Sequence, residues 1–315
     1  MRTTHLISMI ALIGVAALAE DPSFPEELSQ LNALVGDEAK LVDAVRQFDV
    51  LQQALIDWDS DLMAEAGRNS DEEEAKKRSA SIEQRRQVLD KAYTVVLAYY
   101  PKNARALNYY GEFLYDQRGE IAGAISKWKM AIAEDPKLSL PYNNLGIYYT
   151  HTGQYKMGLA AYDKAIELEP DNPDFKYNVA QTYLINRPQV KEEYQWDDKR
   201  LYKEAMKLSK QAAELKPTDY ELQQDYAVNF FAAENFGVKA DWAEAAKAWQ
   251  TARAQATQLD QVFFTWLNEA RAWLQIPNHA KASICLQEAL KIVPDSQAAK
   301  TLLERTHSGT PSTTN

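Results

Sequence analysis

Two stretches with the apolar spacing of helices follow one another between residues 139 and 172. In the first stretch, Leu145 and Tyr149 are four residues apart and therefore lie on one face of a helix. Gly153 interrupts this stretch, and Pro170 ends the second one because a proline breaks the helical hydrogen-bond pattern. The pattern predicts two amphipathic helices joined by a turn, over about residues 141–150 and 155–169.

The same pattern returns along the chain, with a period of 34 residues between the first two copies and a longer period where an internal turn is enlarged. Trp128 and Ala131 each lie 34 residues before Tyr162 and Ala165. In the fifth copy, Glu269 stands where the other copies have an apolar residue. The aligned positions of the second helices are Ala124, Trp128 and Ala131; Gly158, Tyr162 and Ala165; Ala205, Ser209 and Ala212; Ala245, Trp249 and Ala252; and Ala282, Leu286 and Ala289.

Small residues take part in this pattern together with large ones. Gly146 and Gly158 have no Cβ, so two helices can cross closely there, while Tyr149 and Tyr162 fill the space beside the crossing. This combination resembles the tetratricopeptide repeat. The resemblance implies an all-α solenoid of stacked helical hairpins, wound as a right-handed superhelix. Its expected repeats cover residues 103–138, 139–172, 173–218, 219–258 and 259–294.

A long helical hairpin is predicted before the repeats, in residues 20–102. Apolar residues recur every seven positions from Leu41 to Leu62, and Ser70 with Glu73 forms a capping box for the second long helix. We interpret the hairpin as a degenerate first repeat with overlong helices. Alternatively, the seven-residue pattern in residues 37–66 forms a coiled-coil seam with a second copy, which would make the protein a homodimer.

The first 19 residues resemble a secretory signal peptide. Arg2 precedes an apolar run, and Ala17 and Ala19 form the small-x-small pattern of a cleavage site. The run of residues 6–18 is short for a membrane span, which needs about 20 residues. The protein is therefore expected to be periplasmic or secreted.

The chain is expected to close with a capping helix in residues 295–306 and a disordered tail in residues 307–315. Asp295 or Ser296 can provide the N-cap of this helix. Such an end cap covers the apolar face of the last repeat. The single cysteine, Cys285, falls on the second helix of the fifth copy, where we interpret it as a small buried apolar residue.

The charge balance argues against a nucleic-acid partner. Lys and Arg together number 35 against 45 Asp and Glu, which gives a formal net charge of −10. Lys76, Lys77 and Arg78 follow three glutamates with one alanine between, and the sequence shows no other cluster of basic residues. Binding to phosphate groups needs such clusters, so no nucleic-acid binding is expected.

No catalytic constellation is recognised in the sequence. The four histidines lack the spacing of metal ligands. Asp57, Asp59 and Asp61 have the spacing of a calcium loop, but Leu62 stands in place of the required glycine. We interpret these three aspartates as carboxylates on a helix surface. The sequence therefore predicts no enzyme activity, no metal site and no cofactor.

The resemblance also implies a position for a protein partner. In tetratricopeptide repeat arrays, the exposed stripe of the first helices lines a concave groove that contacts the ligand. The stripe of this chain lacks paired basic residues and becomes more apolar toward the C-terminus, which suits an apolar-faced peptide or helix. Alternatively, the N-terminal hairpin or the tail covers the stripe. The predicted groove residues are Asn108, Tyr115, Asn143, Ile147, Tyr177, Gln181, Leu184, Gln224, Val228, Phe231, Leu267, Arg271 and Leu274.

Two turns inside the repeats are enlarged. Ala180 and Ala205 lie 25 residues apart where the second copy has 12, and a shorter insertion falls near residues 235–240. Equivalent turns of stacked repeats lie along one edge, so the two insertions are expected to be neighbours. They predict a recognition rim formed by Tyr194, Trp196 and Phe236. Alternatively, Trp196 folds back over an exposed helix end.

Together, these features predict a non-enzymatic scaffold for protein–protein interaction in the bacterial cell envelope. The scaffold would bind a peptide segment or a helix of an envelope protein in its concave groove. Two alternatives stay open: a periplasmic carrier of a lipid or small apolar ligand, and an assembly factor that dimerises through a coiled coil.

Overall fold

The computed structural model describes residue 31 and residues 33–308. The predicted signal peptide and residues 309–315 of the predicted tail lie outside this part of the chain. Every regular element among the described residues is a helix. The chain divides into two compact units, Met1–Leu145 and Gly146–Asn315.

The first unit contains a long helical hairpin followed by a shorter one. Its helices are α1 (Glu38–Arg68), α2 (Glu72–Tyr99), α3 (Ala104–Phe113), a π-helical turn (Leu114–Arg118) and α4 (Ile121–Glu134). Helix α5 (Leu140–His151) begins in this unit and ends in the second.

The second unit continues as alternating first and second helices. They are α6 (Tyr155–Leu168), α7 (Pro173–Ile185), α8 (Arg187–Tyr194), α9 (Asp198–Leu215), α10 (Tyr220–Asn229) with a 3₁₀ continuation (Phe230–Phe236), α11 (Trp242–Gln255), α12 (Leu259–Gln275), α13 (His279–Ile292) and α14 (Gln297–Ser308).

The turn of the long hairpin differs by one residue from the sequence prediction. The predicted capping box of Ser70 and Glu73 is wrong, because the N-cap of α2 is Asp71, whose carboxylate accepts from the Glu74 amide at 3.1 Å. Ser70 has a φ of 58°, a left-handed conformation that closes the turn and places the next residue at the cap.

A buried ion-pair network holds α1 against α2. The Asp59 carboxylate accepts from Arg78 Nη1 at 3.0 Å, Ser81 Oγ at 2.8 Å and Arg85 Nε at 3.1 Å. Arg85 also donates to Gln52 Oε1 at 3.0 Å. Asp59 is 4% exposed, so the interpretation of the three spaced aspartates as surface carboxylates is wrong for this residue. Asp59 is buried because the face of α1 that carries it packs against α2, where Arg78 and Arg85 donate to its carboxylate.

The apolar repeat of α1 is buried or half-buried within the chain. Leu41 and Leu55 are 0% and 4% exposed, and α1 and α2 pack along their lengths. Val50 and Trp58 are the large apolar residues of α1 that stay accessible, each 46% exposed. A homodimer through residues 37–66 would have to use these two side chains rather than the buried seam.

The aligned small residues of the second helices are buried throughout. Because a small residue at each position lets the neighbouring helix approach, the column fixes how successive helices stack. Ala124, Ala131, Ala165, Ala205, Ala245, Ala252, Ala282 and Ala289 are all 0% exposed, and Ala212 is 1% exposed. The positions that align as small residues in the sequence are thus the positions that are buried where the helices pack.

The first helical pair after the long hairpin contains one extra residue. Gly111 and Gly119 lie eight positions apart, whereas the equivalent Gly146 and Gly153 lie seven apart. The π-helical turn at Leu114–Arg118 accommodates this residue, because a π turn holds one more residue than an α turn. The packing on either side of the turn therefore keeps its register.

The longer insertion forms a helix rather than a loop. Helix α8 has Pro188 in its first turn, and Gln195, the residue after its last one, has a φ of 52°. Val190 is 0% exposed and fixes the helix to the core of the second unit. The two insertions are neighbours, as predicted, since Arg187 donates to the Asn235 carbonyl oxygen at 2.7 Å.

The glycines at the helix crossings give a first prediction. A Cβ on Gly146 would lie 2.5 Å from the buried Tyr162 ring, and a Cβ on Gly111 would lie 2.5 Å from the Trp128 indole. We expect Gly146→Ala and Gly111→Ala each to lower the free energy of unfolding by about 1–3 kcal/mol in urea denaturation. Gly67→Ala is the control, because a Cβ there meets nothing within 4 Å. An equal response of all three variants would contradict the close crossing.

The buried carboxylate of α1 gives a second prediction. We expect Asp59→Ala to lower the free energy of unfolding by about 3 kcal/mol, because it leaves Arg85 buried without a counter-charge. Asp57→Ala and Asp61→Ala remove exposed carboxylates from the same helix. Each should change the free energy of unfolding by about 0.5 kcal/mol or less. Urea denaturation compares the three variants. A loss of similar size at all three positions would rule out the network as the cause.

Candidate partner-binding site

The first helices of three repeats, α7, α10 and α12, carry most of the predicted groove residues of the second unit. Asn172 caps α7 and Asp219 caps α10 through their side-chain oxygens. Gln258 and Gln261 form a capping box at α12. We call the following set the A-helix face: Tyr177, Gln181 and Leu184 from α7, Gln224 and Val228 from α10, Phe231 from its 3₁₀ continuation, and Phe264, Arg271 and Leu274 from α12.

A polar network ties α7 to α10 on this face. Gln181 Nε2 donates to the Asp225 carboxylate, which also accepts from Ser209 Oγ at 2.8 Å and Asn229 Nδ2 at 3.0 Å. Asp225 occupies the position that is asparagine in the second, third and fifth repeats. The side chain of Gln181 is therefore held by a neighbouring helix while it remains half-exposed.

Apolar atoms are accessible at two places on the A-helix face. Val228 is 38% exposed and Phe264 is 37% exposed. Phe231 is half-buried and packs against Trp242, with ring centroids 5.3 Å apart. Leu184 also packs against the core. Val228 and Phe264 are thus available for contact, whereas Phe231 and Leu184 mainly support the surface.

Polar side chains stand beside these apolar ones. Arg271 is exposed and donates from Nη1 to Asn268 Oδ1 at 2.9 Å. Tyr177 is half-buried, and burial together with the charges of Asp225 and Glu221 raises its pKa. The phenol therefore stays protonated at neutral pH. The face offers a hydroxyl, amides, a guanidinium and apolar atoms, which are the groups that contact a bound peptide.

Three of the predicted groove residues are buried instead of exposed. Asn108 is 0% exposed, and Asn143 and Leu267 are each 6% exposed. Asn108 Nδ2 donates to Glu112 Oε1 at 2.8 Å, and Asn144 Nδ2 donates to the same two residues. The prediction that these three positions contact a ligand is wrong, because the predicted stripe is wider than the accessible part of each helix.

The other two groove predictions, Tyr115 and Ile147, are half-buried. Tyr115 lies against Trp128, with ring centroids 5.5 Å apart, in the first unit. Ile147 packs against the core of the second unit. Both side chains contribute mainly to packing, with part of their surface left accessible.

The predicted rim of Tyr194, Trp196 and Phe236 does not stand free. Tyr194 and Trp196 stack on each other at 4.6 Å between centroids, and both meet the edge of Tyr183. Phe236 is 5% exposed, packs on Tyr202 and lies under the Arg187 guanidinium. Tyr194 and Trp196 are half-buried and pack against the core of the second unit, which for Trp196 agrees with the alternative interpretation that its side chain folds back.

Glu269, which stands where the other copies have an apolar residue, is the centre of a buried hydrogen-bond network. It is 3% exposed and accepts from Gln250 at 2.6 Å, Arg253 at 2.6 Å and Trp273 Nε1 at 3.0 Å. Burial, followed by the charge of Glu269, raises the pKa of Cys285 to about 12. The thiol is 4% exposed and stays protonated, which confirms its interpretation as a small buried residue.

The structure also reveals a basic surface that sequence reading missed. Lys199, Lys203, Lys207 and Lys210 follow one another along α9 at intervals of four, four and three residues. This spacing places them on one helix face, although acidic and apolar residues separate them in the sequence. The prediction from the sequence that the chain has no further cluster of basic residues is therefore wrong.

Among residues 31 and 33–308, no group of three or more His, Cys, Asp or Glu is arranged to hold a metal ion. Within the same part of the chain, no helix is both long and apolar enough to cross a membrane.

Two sequence comparisons relate the chain to known proteins. Sequence models of the tetratricopeptide repeat match residues 91–139 and 140–172. The photosystem I assembly protein Ycf3 of Rippkaea orientalis is 30% identical over 144 residues, which are 42% of this chain and 83% of that protein.

Solved structures share the fold. The chain superposes on YrrB, described as a tetratricopeptide repeat protein with an unusual peptide-binding site, with a TM-score of 0.50 and 19% identity, covering 68% of this chain and 98% of YrrB. It also superposes on the C-terminal part of a repeat protein from Cytophaga hutchinsonii, with a TM-score of 0.53 and 18% identity, covering 87% and 98%. These solved structures show the shared fold, and the matching repeat models together with the relative from Rippkaea orientalis show that the chain belongs to the tetratricopeptide repeat family.

Proposed function

We propose that the chain is a non-enzymatic scaffold of the bacterial cell envelope, which holds a peptide segment or helix of a partner protein on its A-helix face. One observation carries the proposal. Successive first helices present the accessible apolar side chains Val228 and Phe264 beside the polar side chains Tyr177, Gln224 and Arg271. A surface of this kind binds an amphipathic segment through apolar contacts and fixes its position through hydrogen bonds.

Membership in the family supports the general role. Stacked helical repeats of this kind build extended surfaces that bind other proteins, so the chain is a scaffold for protein–protein interaction. The relative from Rippkaea orientalis is an assembly protein. A role in holding components of an assembly together agrees with that relative's name and with a binding face made of side chains from several repeats.

The envelope location rests on the N-terminal sequence. Arg2, the apolar run of residues 6–18 and the small residues Ala17 and Ala19 support export and cleavage after Ala19. A mature protein that begins at Glu20 would meet its partner outside the cytoplasm.

The A-helix face gives a third prediction, tested by photo-crosslinking in intact cells of the source bacterium. A benzophenone amino acid in place of Val228 should crosslink to the partner protein, because this side chain is 38% exposed on the face. Adding Tyr177→Ala and Arg271→Ala should reduce the crosslinked product about tenfold, since alanine removes side-chain contacts of the partner.

Position 284 provides the matched control for this experiment. Ile284 is 57% exposed on α13, a second helix, so the same benzophenone group there should not crosslink to this partner. The mature chain recovered from the cells should begin at Glu20. Equal crosslinking at both positions, or an undiminished product after the two alanine substitutions, would refute the placement of the site.

A half-buried carboxylate, Asp225, lies beside the A-helix face, where Gln181 donates a hydrogen bond to it. Burial raises the pKa of Asp225 to about 6, although Ser209 and Asn229 donate hydrogen bonds to it. An aspartic acid in an unfolded chain has a pKa of about 3.9, so the folded state binds the proton more tightly. The stability contributed by this group is therefore highest in acid and falls as the pH rises from about 4 to about 6.

Asp225 gives a fourth prediction. Asp225→Asn removes the titrating group, so the variant should gain stability relative to the wild-type chain by about 2–3 kcal/mol between pH 4 and pH 7.5. Urea denaturation across this range measures the difference. Glu221→Gln, on the exposed side of α10, is the control and should leave the pH profile unchanged. Parallel profiles for Asp225→Asn and wild type would show that Asp225 titrates normally.

A further inference from the structure

A second groove lies in the second unit, formed mainly by second helices of the repeats. Its volume is about 900 Å³. Helix α9 forms one wall, α10 with its 3₁₀ continuation forms the base, and residues 237–241 with the start of α11 form the other wall. We call it the lysine groove. It is separate from the A-helix face, to which α10 contributes other residues, Gln224 and Val228.

The base of the lysine groove is apolar. Tyr202 and Phe230 are 5% and 6% exposed and lie deep between the helices, while Met206, Tyr226 and Val238 are half-buried around them. Burial raises the pKa of Tyr202 to about 12, so its hydroxyl stays neutral at physiological pH. A ligand side chain that enters the groove would therefore meet aromatic and aliphatic surface.

Lysines surround this apolar base. Lys199, Lys203, Lys207 and Lys210 come from α9, and Lys239 comes from the opposite wall. Lys207 lies 3.8 Å from Glu204, and Lys210 lies 3.4 Å from Glu244. Lys199, Lys203 and Lys239 are exposed, and none of the described residues forms an ion pair with them. Three ammonium groups are thus available to a ligand.

The charge of the groove opposes that of the whole chain. Five lysines line it against the three carboxylates Glu214, Asp241 and Glu244, while the chain has a formal net charge of −10. A local positive field attracts an anionic ligand and favours its association. The ligand must also present an apolar group, because only an apolar group removes the apolar base of the groove from water and gains the free energy of that burial.

The shape of the groove selects among anionic ligands. A flat membrane surface could reach the lysine tips but could not contact Tyr202 and Phe230, which lie between the helices. A long nucleic acid would meet the carboxylates of the groove and the negative charge of the chain. Lys199 and Lys210 are eleven residues apart on α9, a distance of about 16 Å. About five residues of an extended peptide span this length.

We infer that the lysine groove binds an acidic peptide segment of a partner protein that carries a large apolar side chain. The carboxylates of the segment pair with Lys199, Lys203 and Lys239, and its apolar side chain packs between Met206 and Phe230. This contact is additional to the partner segment on the A-helix face.

Fluorescence anisotropy with labelled peptides tests this inference and gives a fifth prediction. The probe is Glu-Glu-Phe-Glu-Glu, and the comparison peptides are Glu-Glu-Ala-Glu-Glu and Lys-Lys-Phe-Lys-Lys. The full chain should bind the probe at least about tenfold more tightly than either comparison peptide, and added salt should weaken the binding. The triple variant Lys199→Gln, Lys203→Gln, Lys239→Gln should lose about tenfold or more in affinity.

A matched triple variant separates the groove from the overall charge. Lys77→Gln, Lys91→Gln and Lys129→Gln remove the same charge from exposed positions outside the groove and should leave the affinity unchanged. Val228→Glu, on the A-helix face, should also leave it unchanged. Circular dichroism checks that every variant keeps its helices.

Three results would overturn the inference. These are equal loss of affinity in both triple variants, no preference of the chain for the phenylalanine probe, and lysine-dependent binding to phosphatidylglycerol vesicles without binding to the probe. The last result would assign the lysines to a membrane surface. Crosslinking at position 228 would be unaffected by any of them, so the two binding sites can be judged separately.

Discussion

The close crossing of two helices at a small residue is the constraint on which the rest of the structure depends. Gly111 faces Trp128 and Gly146 faces Tyr162 at distances that leave no room for a Cβ. At the equivalent position of the first helices, the later repeats have Ala180, Ala227 and Ala270, each 0% exposed. Because each helix pair is fixed by this contact, insertions and extra residues can be absorbed elsewhere. The π-helical turn after α3 and helix α8 are two such cases.

Buried carboxylates on the first helices form a second layer of organisation. Asp59 in α1 pairs with Arg78 and Arg85, and Glu269 in α12 pairs with Arg253. Such pairs add little net stability but are costly to break, so they restrict which helix faces can meet. Asp225 differs because amides and a hydroxyl, rather than a cation, satisfy it. Burial raises its pKa, and the hydrogen bonds from Ser209 and Asn229 offset this rise only in part.

The interaction scaffold has two chemically different surfaces in its second unit. The A-helix face combines accessible apolar atoms with neutral polar groups and one arginine, whereas the lysine groove combines a deep aromatic base with ammonium groups. Helix α10 contributes to both surfaces: Gln224 and Val228 lie on the A-helix face, and Tyr226 lines the lysine groove. The aromatic residues of the two insertions belong to neither surface, since they pack on Tyr183 and Tyr202.

The sequence alone determined the repeats, because the period of small and large residues is itself the packing rule. It also determined the helical content, the interruption of the helices at Gly153 and the burial of Cys285. Tertiary structure decided which polar residues are buried, since Asp59 and Asn108 look like surface residues until the partner helix is present. It also decided the basic surface, because helix geometry and the opposite wall bring together lysines that the sequence separates with acidic and apolar residues. The periodicity of apolar residues specifies which face of a helix is buried. Only the neighbouring helix specifies which polar side chains on that face are buried, because it supplies their hydrogen-bond and ion-pair partners.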